Sequence, residues 1–133
     1  MDYEALEDRY SDKLERQEAA EQAHEAQATA EIRAAWAAFF SGTGTRVPAL
    51  RHRSGGLCEE VNEPAIDAVY DMLYDGAPQA ALVALLQGRG DVQALRDAIV
   101  ADYIYHHAQD IAQERAANDP MPFPAFLTQG ATA

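Results

Sequence analysis

A chain of 133 residues with 22 acids against 10 bases, a formal net charge of −12, is close to one average domain and too short for two. A surface this negative repels phosphate backbones and anionic headgroups, which argues against direct nucleic-acid binding and in favour of basic protein surfaces. The single cysteine, Cys58, excludes an internal disulfide framework and fits a reducing compartment.

Residues 1–42 read as a long N-terminal helix. From Asp2 to Phe40 there is no Gly or Pro, and Ala, Glu, Gln, Arg and Leu dominate, so propensity predicts one long helix or two joined by a bend. The large apolar side chains sit at its ends: Tyr3, Leu6, Tyr10 and Leu14, then Ile32, Trp36, Phe39 and Phe40. Between Glu15 and Glu31 only alanine offers apolar contact. That middle reads as solvated, with close packing against another helix or a second copy as the alternative, so a homodimer through this helix is a candidate. The opening MDYEALEDRY is acidic where a secretory signal needs a basic start and an apolar run, and no apolar run approaches the roughly 20 residues of a membrane span. A cytoplasmic protein without membrane partners is expected.

Residues 43–58 read as a basic loop. Ser41 and Gly42 supply a helix stop, and Arg46, Arg51, Arg53 and His52 then follow with no acid before Glu59 and Glu60. Residues 1–40 hold ten acids against four bases, and residues 59–120 hold twelve against three. Attraction to these flanks predicts that the three arginines approach the protein's own acidic helices rather than a ligand. Catalytic patterns are missing here: Gly42-Thr43-Gly44 lacks the Gly-Lys-Ser/Thr of a phosphate loop, Ser54-Gly55-Gly56 lacks a nucleophile elbow, and Cys58 with His52 has no activating context.

Residues 59–117 read as a helical core. A second helix is expected from about Asn62 or Glu63 to Asp75, with Pro64 in its first turn and Ile66, Val69, Tyr70 and Leu73 as its buried stripe. Gly76 ends it, and Pro78 opens a short apolar helix whose Leu82, Leu85 and Leu86 are expected at the centre of the core. Arg89-Gly90-Asp91 spells an adhesion tripeptide, but a glycine turn ending in an N-cap accounts for it better. From Asp91 a fourth helix runs to about Ala117, burying Val92, Leu95, Ile99, Tyr103 and Ile111. No stretch shows the strict alternation of a strand, so the class is all-α: a single compact domain of about four helices. Residues 118–133 add an extended tail in which three prolines spaced by two exclude helix. Its Met121, Phe123, Phe126 and Leu127 either pack back on the helices or dock a partner.

Two sets of residues could carry function. Glu63, Asp67, Asp71 and Asp75 stand at successive i+4 steps, which on one helix makes a row of carboxylates about 6 Å apart along the axis. Together with Glu59 and Glu60 they form the candidate partner-binding face. Asp102, His106, Asp110 and Glu114 repeat the i+4 spacing and form a second candidate face, with His107 beside the core-facing line. A histidine between carboxylates could bind a divalent ion, but ligands strung along one helix converge poorly, so neither metal nor cofactor is expected.

In size, acidity and helical character the chain resembles the small acidic proteins of phages and mobile elements that block a nucleic-acid-handling machine, including some anti-CRISPR proteins and DNA mimics. The resemblance rests on the charge and on the Glu63 to Asp75 row. It implies a non-enzymatic inhibitor that docks an acidic helical face on the basic, nucleic-acid-binding surface of a larger protein. The alternative is a dimeric adaptor or antitoxin-like protein that binds its partner through the proline-rich tail; a metal-dependent helical enzyme centred on His106 is the third reading.

Overall fold

The computed structural model describes residues 3–52, 56 and 58–118, with side chains from Leu6 onward. Arg53 and the proline-rich segment 119–133 lie outside the described residues. The elements in chain order are α1 (Tyr3–Ser41), β1 (Arg46–His52), β2 (Cys58–Pro64), α2 (Ala65–Met72), α3 (Gly76–Leu86) and α4 (Val92–Asn118). The chain is mostly helical, as expected, but a two-stranded antiparallel sheet corrects the all-α reading.

The uninterrupted run of strong helix formers makes α1 one helix of 39 residues, about 58 Å long at 1.5 Å per residue. It ends where Gly42 turns to φ +82, and the Gly42 and Thr43 N–H groups return to the Phe39 and Ala38 carbonyls at 3.1 and 2.8 Å. The chain then passes so close to the helix that a Cβ on Gly44 would lie 2.9 Å from the Ala38 Cβ. That approach needs glycine.

α4 runs back along α1. At one end Arg96 stacks on the Phe40 ring and Tyr103 meets Trp36 edge-on at 5.3 Å; at the other, Glu18–Glu25 and Gln109–Gln113 face each other across a groove. Ala20, Ala23, His24 and Ala28 of α1 are buried along this seam. The middle of α1 is therefore solvated only up to Glu18, and beyond it the alanines serve as close-packing residues. The core itself gathers around Ile32, Trp36, Val47, Tyr103 and Ile111. At 78% exposed, Leu86 corrects the expectation of a core centred on α3, and Val92 at 51% lies outside it too. The fourth helix starts as expected, with Ala94 N–H donating to the Asp91 carboxylate at 2.7 Å.

The hairpin replaces both the expected loop and the first turn of the expected second helix. Ala65 N–H donates to the Thr45 carbonyl at 2.9 Å, in register with the Arg46–Pro64 to His52–Cys58 pairing. Antiparallel ladders alternate bonded and unbonded pairs. Val47–Glu63, Ala49–Val61 and Arg51–Glu59 are thus the bonded ones, and both prolines, Pro48 and Pro64, fall at unbonded positions where a missing N–H costs nothing. Val47 and Ala49 are buried, which ties the ribbon to the helices.

Candidate functional site

α2 is built from AIDAVYDM, and its two fully buried residues are the small Ala65 and Ala68. With alanine facing inward, Ile66 and Tyr70 turn outward, while Val69 and Met72 pack half-buried against the core. Ile66 is 49% exposed, Tyr70 64% and, in the turn that follows, Tyr74 78%. These three recur at i+4 steps, so they form one line along the helix and its C-terminal turn. The expected buried stripe is corrected accordingly: Ile66 and Tyr70 lie on the surface, Val69 and Leu73 at its margin.

Asp67 and Asp71 flank this line, one turn apart, and Asp75 follows as the extended residue before α3. All three are exposed. Among the described residues none of them takes part in an ion pair.

The fourth member of the expected row is elsewhere. Glu63 is the penultimate residue of β2, and its carboxylate takes a hydrogen bond from the Tyr103 hydroxyl at 2.6 Å, beside the Pro48 carbonyl at 2.5 Å from the same oxygen. It is half-buried and joins the hairpin to α4. Burial pushes the Tyr103 phenol well above its ordinary pKa, and the hydrogen bond and charge of Glu63 add to the shift. The tyrosine therefore stays a donor. The His107 ring lies on Tyr103 at 4.2 Å; burial holds its pKa below the ordinary value, against the pull of Glu63, Asp110 and Asp102.

The two other acids assigned to the partner face divide in the same way. Glu60 receives both Arg115 donors, at 3.0 and 2.6 Å, and Arg115 also reaches Glu31 of α1 at 2.5 Å. Glu59 stands opposite Arg51 in the hairpin register. Arg115 of α4 thus neutralises acids of two other elements, β2 and α1. Arg46 instead donates to the Asn62 carbonyl at 3.1 and 2.7 Å, so it braces the hairpin rather than an acidic helix.

Asp102, His106, Asp110 and Glu114 do lie on one continuous helix, and His106 Nε2 is 3.5 Å from Asp102. Asp110 and Glu114 border a groove of about 540 Å³ with His106, His107, His52 and Cys58. Cys58 Sγ rests 3.2 Å from His52 Nδ1, a proximity that six residues of separation did not announce. Among the described residues no three His, Cys, Asp or Glu side chains converge on a metal position.

No known protein family matches this chain, and neither does any curated protein or solved structure. Among the described residues no helix is long and apolar enough to cross a membrane.

Proposed function

We propose that this chain is a small non-enzymatic binding protein that docks the α2 face onto a basic surface of a larger protein, competing there with nucleic acid. The observation that carries the reading is the pairing of an exposed aromatic line, Ile66, Tyr70 and Tyr74, with the unpaired carboxylates Asp67, Asp71 and Asp75. A merely solvated acidic helix would have no reason to expose tyrosines. Tyrosine is enriched among the residues that dominate binding energy, and adjacent charge steers encounter with a surface of opposite sign. Removal of Glu63 from the row leaves two carboxylates one helical turn apart, with Asp75 beyond them, and these would take the place of backbone phosphates on an arginine-rich or lysine-rich surface.

The test is affinity capture from the source cell at about 0.05 and 0.5 M salt, where screening lengths differ several-fold. Asp67→Asn with Asp71→Asn is expected to reduce low-salt capture of the main retained protein about tenfold while leaving the fold intact, because like-charge repulsion within α2 falls. A DNA duplex added in excess should compete for that retained protein. Equal capture by the double variant at low salt contradicts the proposal.

A further inference from the structure

We propose that the segment from Met121 to Leu127 lies along the first turns of α1, over Leu6, Tyr10 and Leu14, and so extends the α1–α4 seam past the end of α4 within one chain. Leu6, Tyr10 and Leu14 are 43%, 65% and 40% exposed, and their i+4 spacing makes them one line on the helix. They stand 18 residues before His24, Ala28 and Ile32 respectively, which is five turns at 3.6 residues per turn. His24, Ala28 and Ile32 are buried in the seam and the core beside it. The face of α1 that is covered along the seam therefore continues, still apolar but exposed, towards the start of the helix.

The place where α4 stops selects the occupant. Gln113 of α4 shares a groove with Glu18 and Gln22 of α1, and α4 goes on to Asn118, about 7.5 Å further towards Leu14 at 1.5 Å per residue. Residues 119–133 thus start beside the exposed line. From Glu18 to Leu6 is about 18 Å along the axis of α1. A proline-spaced chain advances about 3.1 Å per residue, so the steps from Met121 to Leu127 span about the same distance.

Composition and charge agree with this cover. Met121, Phe123, Phe126 and Leu127 supply apolar area, and the intervening Pro122 and Pro124 have no N–H to leave unmet against it. Residues 3–18 hold six acids against three bases, whereas Asp119 is the only ionisable side chain from 119 to 133. A second copy laid on the same line would bring its own acidic helix and be repelled; the chain's own end brings almost no charge.

Paramagnetic relaxation in the full chain tests the proposal. A nitroxide on Ala125→Cys, in a Cys58→Ser background, should broaden the backbone amide signals of residues 6–14. The broadening should be equal at about 0.05 and 0.5 mM, a range over which weak self-association would change its population. Mixed with an isotope-enriched chain that carries no nitroxide, the spin-labelled chain should leave that chain's signals sharp. Phe123→Ser with Phe126→Ser should speed amide hydrogen exchange at residues 6–14 about tenfold. Tyr10→Gln with Leu14→Gln should do the same, glutamine being a good helix former, and all four together should do no more than either pair, because both pairs remove one contact. The nitroxide reads the line with its native side chains, so it decides the matter even if the α1 variants fray. Sharp signals at residues 6–14, broadening that appears in the mixed sample, or exchange effects that multiply would each overturn the proposal. None of these variants alters α2, so failure here is separable from failure of the α2 reading.

Discussion

The seam between α1 and α4 and the pair α2–α3 use apolar residues in opposite ways. Along the seam even alanines are buried, and Trp36, Ile32, Tyr103 and Ile111 are fully enclosed. On α2 and α3 the fully buried residues are Ala65, Ala68 and Pro78, the larger Val69, Met72, Leu82 and Leu85 are half-buried, and Ile66, Tyr70, Tyr74, Val83 and Leu86 stand in water. Small residues at the contact let a short helix sit close to the body, which leaves the bulky residues on its far side in water. The seam therefore holds the fold together, while the α2–α3 surface is available for other molecules.

The largest expected effect breaks or supports that division directly. Trp36→Ala should cost about 3–5 kcal/mol in urea unfolding, the range for removing a buried aromatic. Leu86→Ala, an exposed truncation, should change stability by no more than about 0.5 kcal/mol. Comparable costs for the two would erase the distinction.

Much of the seam was legible in the sequence, because a Gly-free and Pro-free run, a glycine stop at Gly42 and an N-cap at Asp91 are local signals. The burial of Ile99, Tyr103 and Ile111 followed from period alone. The hairpin was hidden for a physical reason: Pro48, Pro64 and the lack of strict apolar alternation argue against a strand, yet prolines at unbonded positions of a two-stranded ribbon break no ladder bond. With Glu63 in β2 and Asp75 in the extended residue before α3, only Asp67 and Asp71 of the expected row share a helix. The α2 stripe misled differently. Ile66, Val69, Tyr70 and Leu73 have the spacing of a buried face, and spacing does not say whether a stripe meets the body or a partner. The signal that could have separated the two is the opposite side of the helix, where Ala65 and Ala68 offer a tighter fit.

A smaller effect sharpens how the hairpin is fastened to the seam. Tyr103→Phe removes the hydroxyl that joins α4 to the Pro48 and Glu63 oxygens, and leaving such part-buried acceptors unmet should cost about 1–3 kcal/mol. The urea midpoint should fall while helical content at low urea is unchanged. A cost near zero would mean that the apolar contact of Val47 and Ala49 and the Arg115–Glu60 pair seat the hairpin without this hydroxyl.

The smallest effect is a pH dependence confined to the seam. His107 has its pKa lowered from 6.5 by burial, so the unfolded chain binds more protons there than the folded one. Stability contributed by the neutral ring is present above about pH 6.5 and declines as the pH falls through that value. His107→Leu should flatten this slope between roughly pH 7 and 5. An unchanged slope in His107→Leu would assign the titration elsewhere.

Tyr70→Ala combined with Tyr74→Ala bears most directly on the claim that α2 presents its large side chains to another protein. Urea unfolding and low-salt affinity capture of this double variant should be measured together with the wild type. The expected result is a stability within about 0.5 kcal/mol of the wild type and capture of the retained protein reduced at least about tenfold. A loss of about 2 kcal/mol or more in stability, with capture undiminished per folded molecule, would place the tyrosines in the fabric of the fold and contradict the account.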